Sequence, residues 1–267
     1  MAGARDYTTI SPSARALLMV KAQTKLPYAR AAAVALWGSG AVTSAEQAAA
    51  STPGAEQRRA HFEMRARSVD HALENLGATR VLEIAAGLSF RSLAMAERTG
   101  VFYLDTDLSE MAAIKAELVP RLHPAPLAGT LRVQALDALD ADAFAAAVAS
   151  MPDGRITVAH EGLLMYLDDA EKTRLASNIR QALAVRGGAW VTADVYVRSE
   201  RHLLREEHIQ KFLADHRVEE RKFADWDAAE AFFTTAGFRI DDRIAREDDP
   251  WQVRQTWLLT VAGVSGA

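Results

Sequence analysis

The stretch from residue 79 to residue 91 constrains the fold more than any other part of the sequence, and it reads Thr-Arg-Val-Leu-Glu-Ile-Ala-Ala-Gly-Leu-Ser-Phe-Arg. Its apolar start predicts a short buried strand, Ala85-Ala86-Gly87 predicts a tight turn, and a helical pattern resumes from Phe90. Small residues in such a turn let a ligand approach the backbone, and the free N–H groups of the next helix can face it. The stretch therefore indicates a site for a nucleotide-type cofactor.

A second predicted strand ends in acidic residues. The apolar run from Val101 leads to Asp105, which we take as the end of the strand, and Asp107 follows two residues later. A carboxylate in this position can accept hydrogen bonds from ribose hydroxyls, so Asp105 is the predicted ribose ligand. Asp107 is also counted among the cofactor-binding residues, although capping of the next helix would explain it equally well. Together the two strands predict an adenosine-containing cofactor.

Strands and helices alternate through the middle of the chain, which predicts a parallel sheet with right-handed crossovers. The predicted strands cover residues 79–85, 101–106, 130–136, 155–160 and 188–196, and the helices between them cover 90–98, 108–122, 140–150 and 169–185. Charged helices are predicted at about 199–216 and 226–236. Two further strands follow, at Gly237–Ile240 and Thr256–Val261, with a turn at Asp248–Pro250 and no room for a helix between them. We therefore expect an α/β fold with a doubly wound, mostly parallel seven-stranded sheet that ends in an antiparallel hairpin.

The N-terminal part of the chain predicts helices alone. Ser11-Pro12 is typical of a helix start, Pro27 ends that helix, and further helices are predicted from Ala29 to Trp37 and over 56–76. We therefore divide the chain into a helical cap or lid at residues 1–76 and a Rossmann-like cofactor-binding domain at 77–267.

Composition excludes several classes of function. The chain has 267 residues, of which 49% are hydrophobic and none is cysteine, and its net charge is -4. A negative charge disfavours a nucleic-acid partner, no apolar run reaches the roughly 18 residues of a membrane span, and the N-terminus lacks the pattern of a secretory signal. We therefore expect a cytoplasmic protein that acts on a small molecule and carries no metal site. Whether it forms oligomers is left open.

Two more acids are candidates for contacts with the cofactor. Glu83 lies in an apolar strand, where a buried carboxylate needs partners. It either makes a structural contact, or has a functional role in which it organises the turn or accepts from the cofactor's amino group. Asp137 follows the third predicted strand, where it either accepts from an adenine amino group or serves as a loop residue or helix cap.

Three candidate catalytic residues follow the fourth strand, where ligands bind in doubly wound sheets. His160 is either a general base or a hydrogen-bonded histidine at the strand end. Glu161 lies at the carboxyl end of the strand, and Tyr166 either lines the substrate pocket or packs. Arg65, in an Arg-x-Arg-x-x-Asp run, belongs to a solvated face unless its helix crosses the cleft, where guanidinium would suit a carboxylate.

Four segments resemble class I S-adenosylmethionine-dependent methyltransferases, and more narrowly the leucine carboxyl methyltransferase family. That family includes bacterial members of secondary metabolism that methylate polyketide acids. The matching segments are Arg65–Asp70, Ala85–Arg91, Asp105–Asp107 together with Lys115, and Glu161–Leu167. The chain departs from the family pattern in the turn, where Ala85 replaces a glycine and Ser89-Phe90 replaces Asp-Thr.

The resemblance implies a role for each matching residue. Arg65 would hold the cofactor's carboxylate, and Glu161 would lie near its amino group and the reacting methyl. The remaining contacts would be Ala85 and Gly87 along the methionine part, Asp105 at the ribose, and Asp137 with Ala138 at the adenine. The N-terminal helices would form a lid over the acceptor pocket.

The leading hypothesis is an S-adenosylmethionine-dependent methyltransferase that methylates a carboxylate or hydroxyl of a small-molecule metabolite. A carboxylate acceptor needs no base because it is ionised at neutral pH, whereas a hydroxyl or carbon acceptor needs proton removal, by His160 or a histidine of the cap. The alternatives are C-methylation, a non-methylating reaction that uses the bound cofactor, and a non-catalytic cofactor-binding module. A nicotinamide oxidoreductase is disfavoured because the turn lacks the full Gly-x-Gly-x-x-Gly pattern and the terminal hairpin is unexpected.

Overall fold

A seven-stranded sheet lies at the centre of the structure, a computed structural model that describes residues 11–198, 211, 214–244 and 254–263. The strands are β1 (Arg80–Glu83), β2 (Phe102–Asp107), β3 (Thr130–Ala135), β4 (Ile156–His160), β5 (Gly188–Tyr196), β6 (Phe238–Ile244) and β7 (Arg254–Val261). Their order in the sheet is β3-β2-β1-β4-β5-β7-β6, with β1 to β5 parallel and β7 antiparallel to both of its neighbours. The predicted α/β fold is confirmed, including its antiparallel hairpin.

Helices connect the parallel strands and precede them. The first four are α1 (Ser11–Lys21), α2 (Ala29–Trp37), α3 (Ser39–Ala50) and α4 (Ala55–Asn75). Those between and after the strands are α5 (Arg91–Ala96), α6 (Ser109–Leu122), α7 (Ala141–Ala149), α8 (Asp169–Arg186), α9 (Val218–Arg221) and α10 (Trp226–Thr235), and a short 3₁₀ helix spans Leu164–Tyr166. In the part of the chain that the structure describes, no helix has the length and apolar character needed to cross a membrane.

Some element boundaries differ from the predicted ones. The chain leaves β1 at Glu83, because Ala85 adopts a left-handed backbone conformation with φ of 49° and the extended geometry ends there. The alanine-rich α3 was not predicted, because the turn residues at 52–54 suggested an irregular region; alanine is the strongest helix former, and the helix ends just before these residues. The predicted helix at 199–216 and the turn at Asp248–Pro250 lie largely outside the described residues.

The N-terminal helices pack in two different ways. Helices α1 to α3 contribute to an apolar cluster with α5 and α6, in which Leu18 and Ala32 are buried together with Leu93. Helix α4 instead packs on the sheet itself, in a cluster that includes Leu73 and Val191. The division into two domains at residue 76 stays a prediction. Helix α4 lies before that boundary, yet it covers the sheet as the helices between the strands do.

Candidate active site

The carboxyl ends of β2, β1 and β4 lie side by side and bring the predicted site residues together. Glu83 at the end of β1 is level with Asp105 in β2 and with Ala159 in β4. Strand β2 continues for two more residues to Asp107, and β4 continues for one more, to His160. Ligands of doubly wound folds bind at these carboxyl ends of the parallel strands, which we call the carboxyl edge, or simply the edge, of the sheet.

Two hydrogen bonds join the turn after β1 to the C-terminal end of β2. The backbone N–H of Gly87 donates to Asp107 Oδ2 at 2.6 Å, and the N–H of Ala86 donates to the carbonyl of Thr106 at 3.0 Å. Both Ala85 and Gly87 have left-handed backbones, with φ of 49° and 52°. A glycine adopts this conformation without strain, whereas alanine pays roughly 1–2 kcal/mol for it. The replacement of glycine by Ala85 therefore stores strain in the turn.

Glu83 is fully buried and holds the helix that follows the turn. Its carboxylate accepts from Tyr103 Oη at 2.9 Å and forms an ion pair with Arg91, the first residue of α5. Burial raises the pKa of Glu83, and Arg91 acts against that rise. Arg91 also pairs with Asp70 on α4 and donates to the carbonyl of Ala66 at 3.1 Å. Glu83 thus has protein partners, as its structural interpretation requires, and these partners position both α5 and α4.

Glu161 is the centre of a buried charge cluster. Its carboxylate lies 2.7 Å from Lys21 Nζ on α1, 2.9 Å from Arg65 Nε on α4 and 3.1 Å from Arg91 Nη2 on α5. All four side chains are 7% exposed or less. Burial alone would raise the pKa of Glu161, but the three cations together hold it well below its usual range. The cluster keeps Glu161 ionised and joins three helices to the end of β4.

The side chain of His160 is not exposed at the carboxyl ends of the strands. Its side chain is fully buried, Nδ1 is 2.9 Å from Asp194 Oδ2, and its ring contacts Trp190 with centroids 5.7 Å apart. The alternative of a hydrogen-bonded histidine at the strand end describes what the structure shows, and the role of His160 as a general base stays a prediction.

Asp194 on β5 shapes the loop after β4. It accepts from the backbone N–H of Gly162 and of Leu163, each at 2.6 Å. Burial would raise the pKa of Asp194, but the hydrogen bond from His160 and the backbone donors lower it below its ordinary value. Asp194 thus fixes the backbone next to Glu161.

Strand β2 continues past Asp105 to Asp107, so the prediction that Asp105 ends the strand is wrong. Its side chain is fully buried, lies 2.6 Å from Lys115 Nζ on α6, and accepts a hydrogen bond from Ser92 on α5. Burial raises its pKa despite the charge of Lys115. Asp107 is the residue at the tip of β2, and its carboxylate accepts from the N–H groups of Gly87 and Leu108. The N-cap of α6 is Leu108, and no side-chain hydrogen bond caps that helix within the described residues.

The remaining predicted residues border the edge. Asp137 is exposed after β3, and its Oδ1 accepts from the N–H of Leu139 at 2.9 Å, whereas Asp140 is the residue that caps α7. The carbonyl of Ala138 accepts from Asn178 at 3.0 Å. Tyr166 lies half-buried on the 3₁₀ helix, with its ring edge-on to His216 at 6.3 Å, and burial raises its pKa.

No role was predicted from the sequence for three charged residues of the site, namely Lys21, Arg91 and Asp194. Each is a charged residue within an apolar segment, and that placement was the available signal. The set of cations and carboxylates matches an α-amino acid group, which carries one negative and one positive charge. Within the described ranges, no group of three or more metal-binding side chains is close enough to hold an ion.

The sequence pattern of the family described as leucine carboxyl methyltransferase matches residues 10–180, more than half of the chain. No curated protein matches the chain by sequence. Magnesium protoporphyrin IX methyltransferase from Synechocystis PCC 6803, solved with bound SAH, superposes with a TM-score of 0.52 and 12% identity, covering 79% of this chain and 88% of that one. Mitomycin 7-O-methyltransferase superposes with a TM-score of 0.51 and 16% identity, covering 81% of this chain. This match extends over 60% of the mitomycin enzyme, and identities this low show a shared fold.

We predict that Ala85→Gly stabilises the protein. Glycine relieves the strained backbone at this position but adds conformational freedom to the unfolded chain, so the net gain should be about 1 kcal/mol. The matched control is Ala86→Gly, because Ala86 has no left-handed backbone to relieve, and it should lose about 1 kcal/mol. Urea unfolding of the two variants checks the prediction, and equal effects at both positions would contradict it.

We predict that Asp194→Asn destabilises the protein by about 3 kcal/mol at pH 6, because it removes the buried carboxylate that accepts from His160 and from the backbone N–H groups of Gly162 and Leu163. The lowered pKa of Asp194 means that its contribution is complete above the ordinary carboxyl pKa of about 4 and is lost as the pH falls further. The difference between the wild type and the variant should therefore shrink from pH 6 to pH 3 in denaturant unfolding. Asp140→Asn, at an exposed helix cap where asparagine serves equally well, should be neutral throughout.

Proposed function

Because this chain belongs to the leucine carboxyl methyltransferase family, we propose that it transfers a methyl group from S-adenosylmethionine to an oxygen of a small-molecule metabolite, either a carboxylate or a hydroxyl. The observation that carries the proposal is the buried cluster around Glu161, which lies within the matched residues and at the ligand-binding edge of the sheet. A related fold, that of the Synechocystis enzyme, was solved with the demethylated product of this cofactor.

The cluster has the chemistry to hold the amino acid end of the cofactor. A carboxylate would be taken by Lys21 and Arg65, and an ammonium group by Glu161, which the surrounding cations keep ionised. Arg91 also pairs with Glu83 and Asp70 and would stay in place as part of the scaffold. S-adenosylmethionine supplies a methyl group on a positively charged sulfur, which needs no further activation by the protein.

The adenosine end would lie along the neighbouring strand ends. We propose Asp107 as the ribose ligand in place of Asp105, because Asp107 is at the tip of β2 while Asp105 is buried against Lys115. Asp137 and Ala138 would face the adenine, and the turn at Ala85 and Gly87 would run along the methionine chain. Tyr166 and helices α1 to α3 would border the acceptor.

Catalysis by this site would depend mainly on positioning. Methyl transfer is an in-line displacement, and holding two reactants in line can lower a barrier by roughly 7–11 kcal/mol. The chain's contribution is to fix the loop after β4 through Asp194 and to exclude water through the helices above the edge. A carboxylate acceptor would react without further help, since it is ionised at neutral pH.

The proposal is tested by calorimetry and by a product screen. We expect S-adenosylmethionine to bind and NAD not to bind, and we expect the mass of at least one acceptor, among carboxylic acids, phenols and keto acids, to increase by one methylene unit. Magnetic resonance of the product locates the new methyl on oxygen. Binding of NAD alone would reject the proposal. A methyl on carbon, or cofactor binding without any product, would favour a C-methyltransferase or a non-catalytic module.

We predict that Asp107→Asn weakens S-adenosylmethionine binding by at least about tenfold, the equivalent of one hydrogen bond to a charged group. The stability of the Asp107→Asn variant should change little, since asparagine still accepts from the backbone N–H of Gly87. Asp105→Asn should do the opposite, losing about 3 kcal/mol of stability because Lys115 is left unpaired in the core, with a smaller effect on affinity at low temperature. Calorimetry and urea unfolding separate the two, and a larger loss of affinity in Asp105→Asn would return the ribose role to Asp105.

A further inference from the structure

A tyrosine and a histidine form a hydrogen-bonded pair beside the Glu161 cluster. His61 Nε2 lies 3.2 Å from Tyr196 Oη, and both residues are buried, with 1% and 7% of their surface exposed. His61 belongs to α4, one helical turn before Arg65, so the two side chains share a face of the helix. Tyr196 is the last residue of β5, four residues beyond Thr192, which is the partner of His160 at the end of β4. The pair therefore lies where β5 ends, on the same carboxyl side of the parallel strands as His160 and Glu161.

Two cations lie close to Tyr196. Arg65 Nη1 donates to Tyr196 Oη at 3.4 Å, and Lys222 Nζ lies 5.8 Å from the centre of the tyrosine ring. A phenol oxygen that accepts from a guanidinium has its own proton available for another acceptor, and His61 Nε2 is at hydrogen-bond distance. Tyr196 Oη thus connects the guanidinium of Arg65 with the ring of His61.

Two other acid–base groups near the strand ends are already engaged. Glu161 is ion-paired with three cations, and His160 is held by Asp194 beneath the edge. A carboxylate acceptor would have no use for a proton-accepting pair, because it arrives ionised. A hydroxyl acceptor needs one, since a phenol keeps its proton at neutral pH.

We propose that Tyr196, acting with His61, removes the proton of a phenol-type hydroxyl acceptor, which makes such hydroxyls the substrate class of this site. The proposal rests on the methyl-transfer function proposed above. As the acceptor oxygen forms its bond to the methyl carbon, the electron pair of the broken carbon–sulfur bond stays on sulfur. The acceptor's proton passes to Tyr196 Oη, and the tyrosine's own proton passes to His61 Nε2, from which solvent removes it after product release.

The test compares Tyr196→Phe and His61→Gln with the wild type on two phenols of similar shape. One is 4-methylphenol, which is protonated at mildly alkaline pH, and the other is 4-nitrophenol, which is largely ionised at the same pH. Glutamine can still accept a hydrogen bond at the position of Nε2 but cannot take the proton. His71→Gln, at an exposed position of the same helix, is the matched control. Calorimetry with S-adenosylhomocysteine and thermal unfolding verify that each variant folds and binds the cofactor product.

Both variants should transfer methyl to 4-methylphenol about 100-fold more slowly than the wild type, the usual contribution of general base catalysis. Transfer to 4-nitrophenol should stay within about threefold, because that acceptor needs no base. The rate with 4-methylphenol should also recover as the pH approaches the pKa of the phenol. A purely structural role would slow both phenols equally and at every pH.

The outcomes separate this inference from the function on which it rests. A wild type that methylates carboxylic acids and no phenol overturns the inference and leaves the proposed function standing. Equal losses with the two phenols, or no loss with either, also overturn it. A wild type that binds S-adenosylmethionine and methylates neither class overturns both proposals.

Discussion

The ion pairs around Glu161 determine how the N-terminal helices meet the sheet. A carboxylate buried with one cation missing would be strongly unfavourable, because the attraction between the charges must offset the loss of their hydration. Its three partners come from α1, α4 and α5, so these helices must reach the end of β4 at the same time. Arg91 extends the network to Glu83 and Asp70, so that within this group three cations face three carboxylates. The edge is thus assembled by charge as much as by apolar packing.

The fold was predictable because its pattern is local. Apolar strands that alternate with amphipathic helices are visible within windows of ten to twenty residues, and the lack of a helix between the last two strands predicts their hairpin. Helix α3 was missed since its alanines carry little apolar periodicity, and the nearby turn residues outweighed its helix propensity. The end of β2 was misplaced for a related reason: its alignment with β1 and β3 determines which acid reaches the tip, and a single strand's sequence does not contain that alignment.

The site was predictable only where chemistry coincided with a strand end. Glu161 and the turn at Gly87 stood out because they directly follow apolar strands. Lys21 is 140 residues from Glu161 along the chain, and no local pattern relates the two. For His160 the sequence left two interpretations open, since its partner Asp194 lies on another strand and no local pattern relates the two residues. Long-range pairing therefore decided which ionisable groups face the edge and which support it from below.

The position of α4 limits how this architecture can be recombined. The helix is hydrogen-bonded to the sheet through Ser68 Oγ and Thr256 Oγ1, 2.6 Å apart, and it carries Arg65 at the same time. A chimera that exchanged the whole helical N-terminus would remove one covering layer of the sheet together with part of the charge network. A chimera joined in the loop before Ala55 would instead exchange only α1 to α3 and leave that layer intact. The donor segment would then also have to supply a lysine at the position of Lys21. Natural diversification of acceptor specificity by segment exchange would face the same boundary.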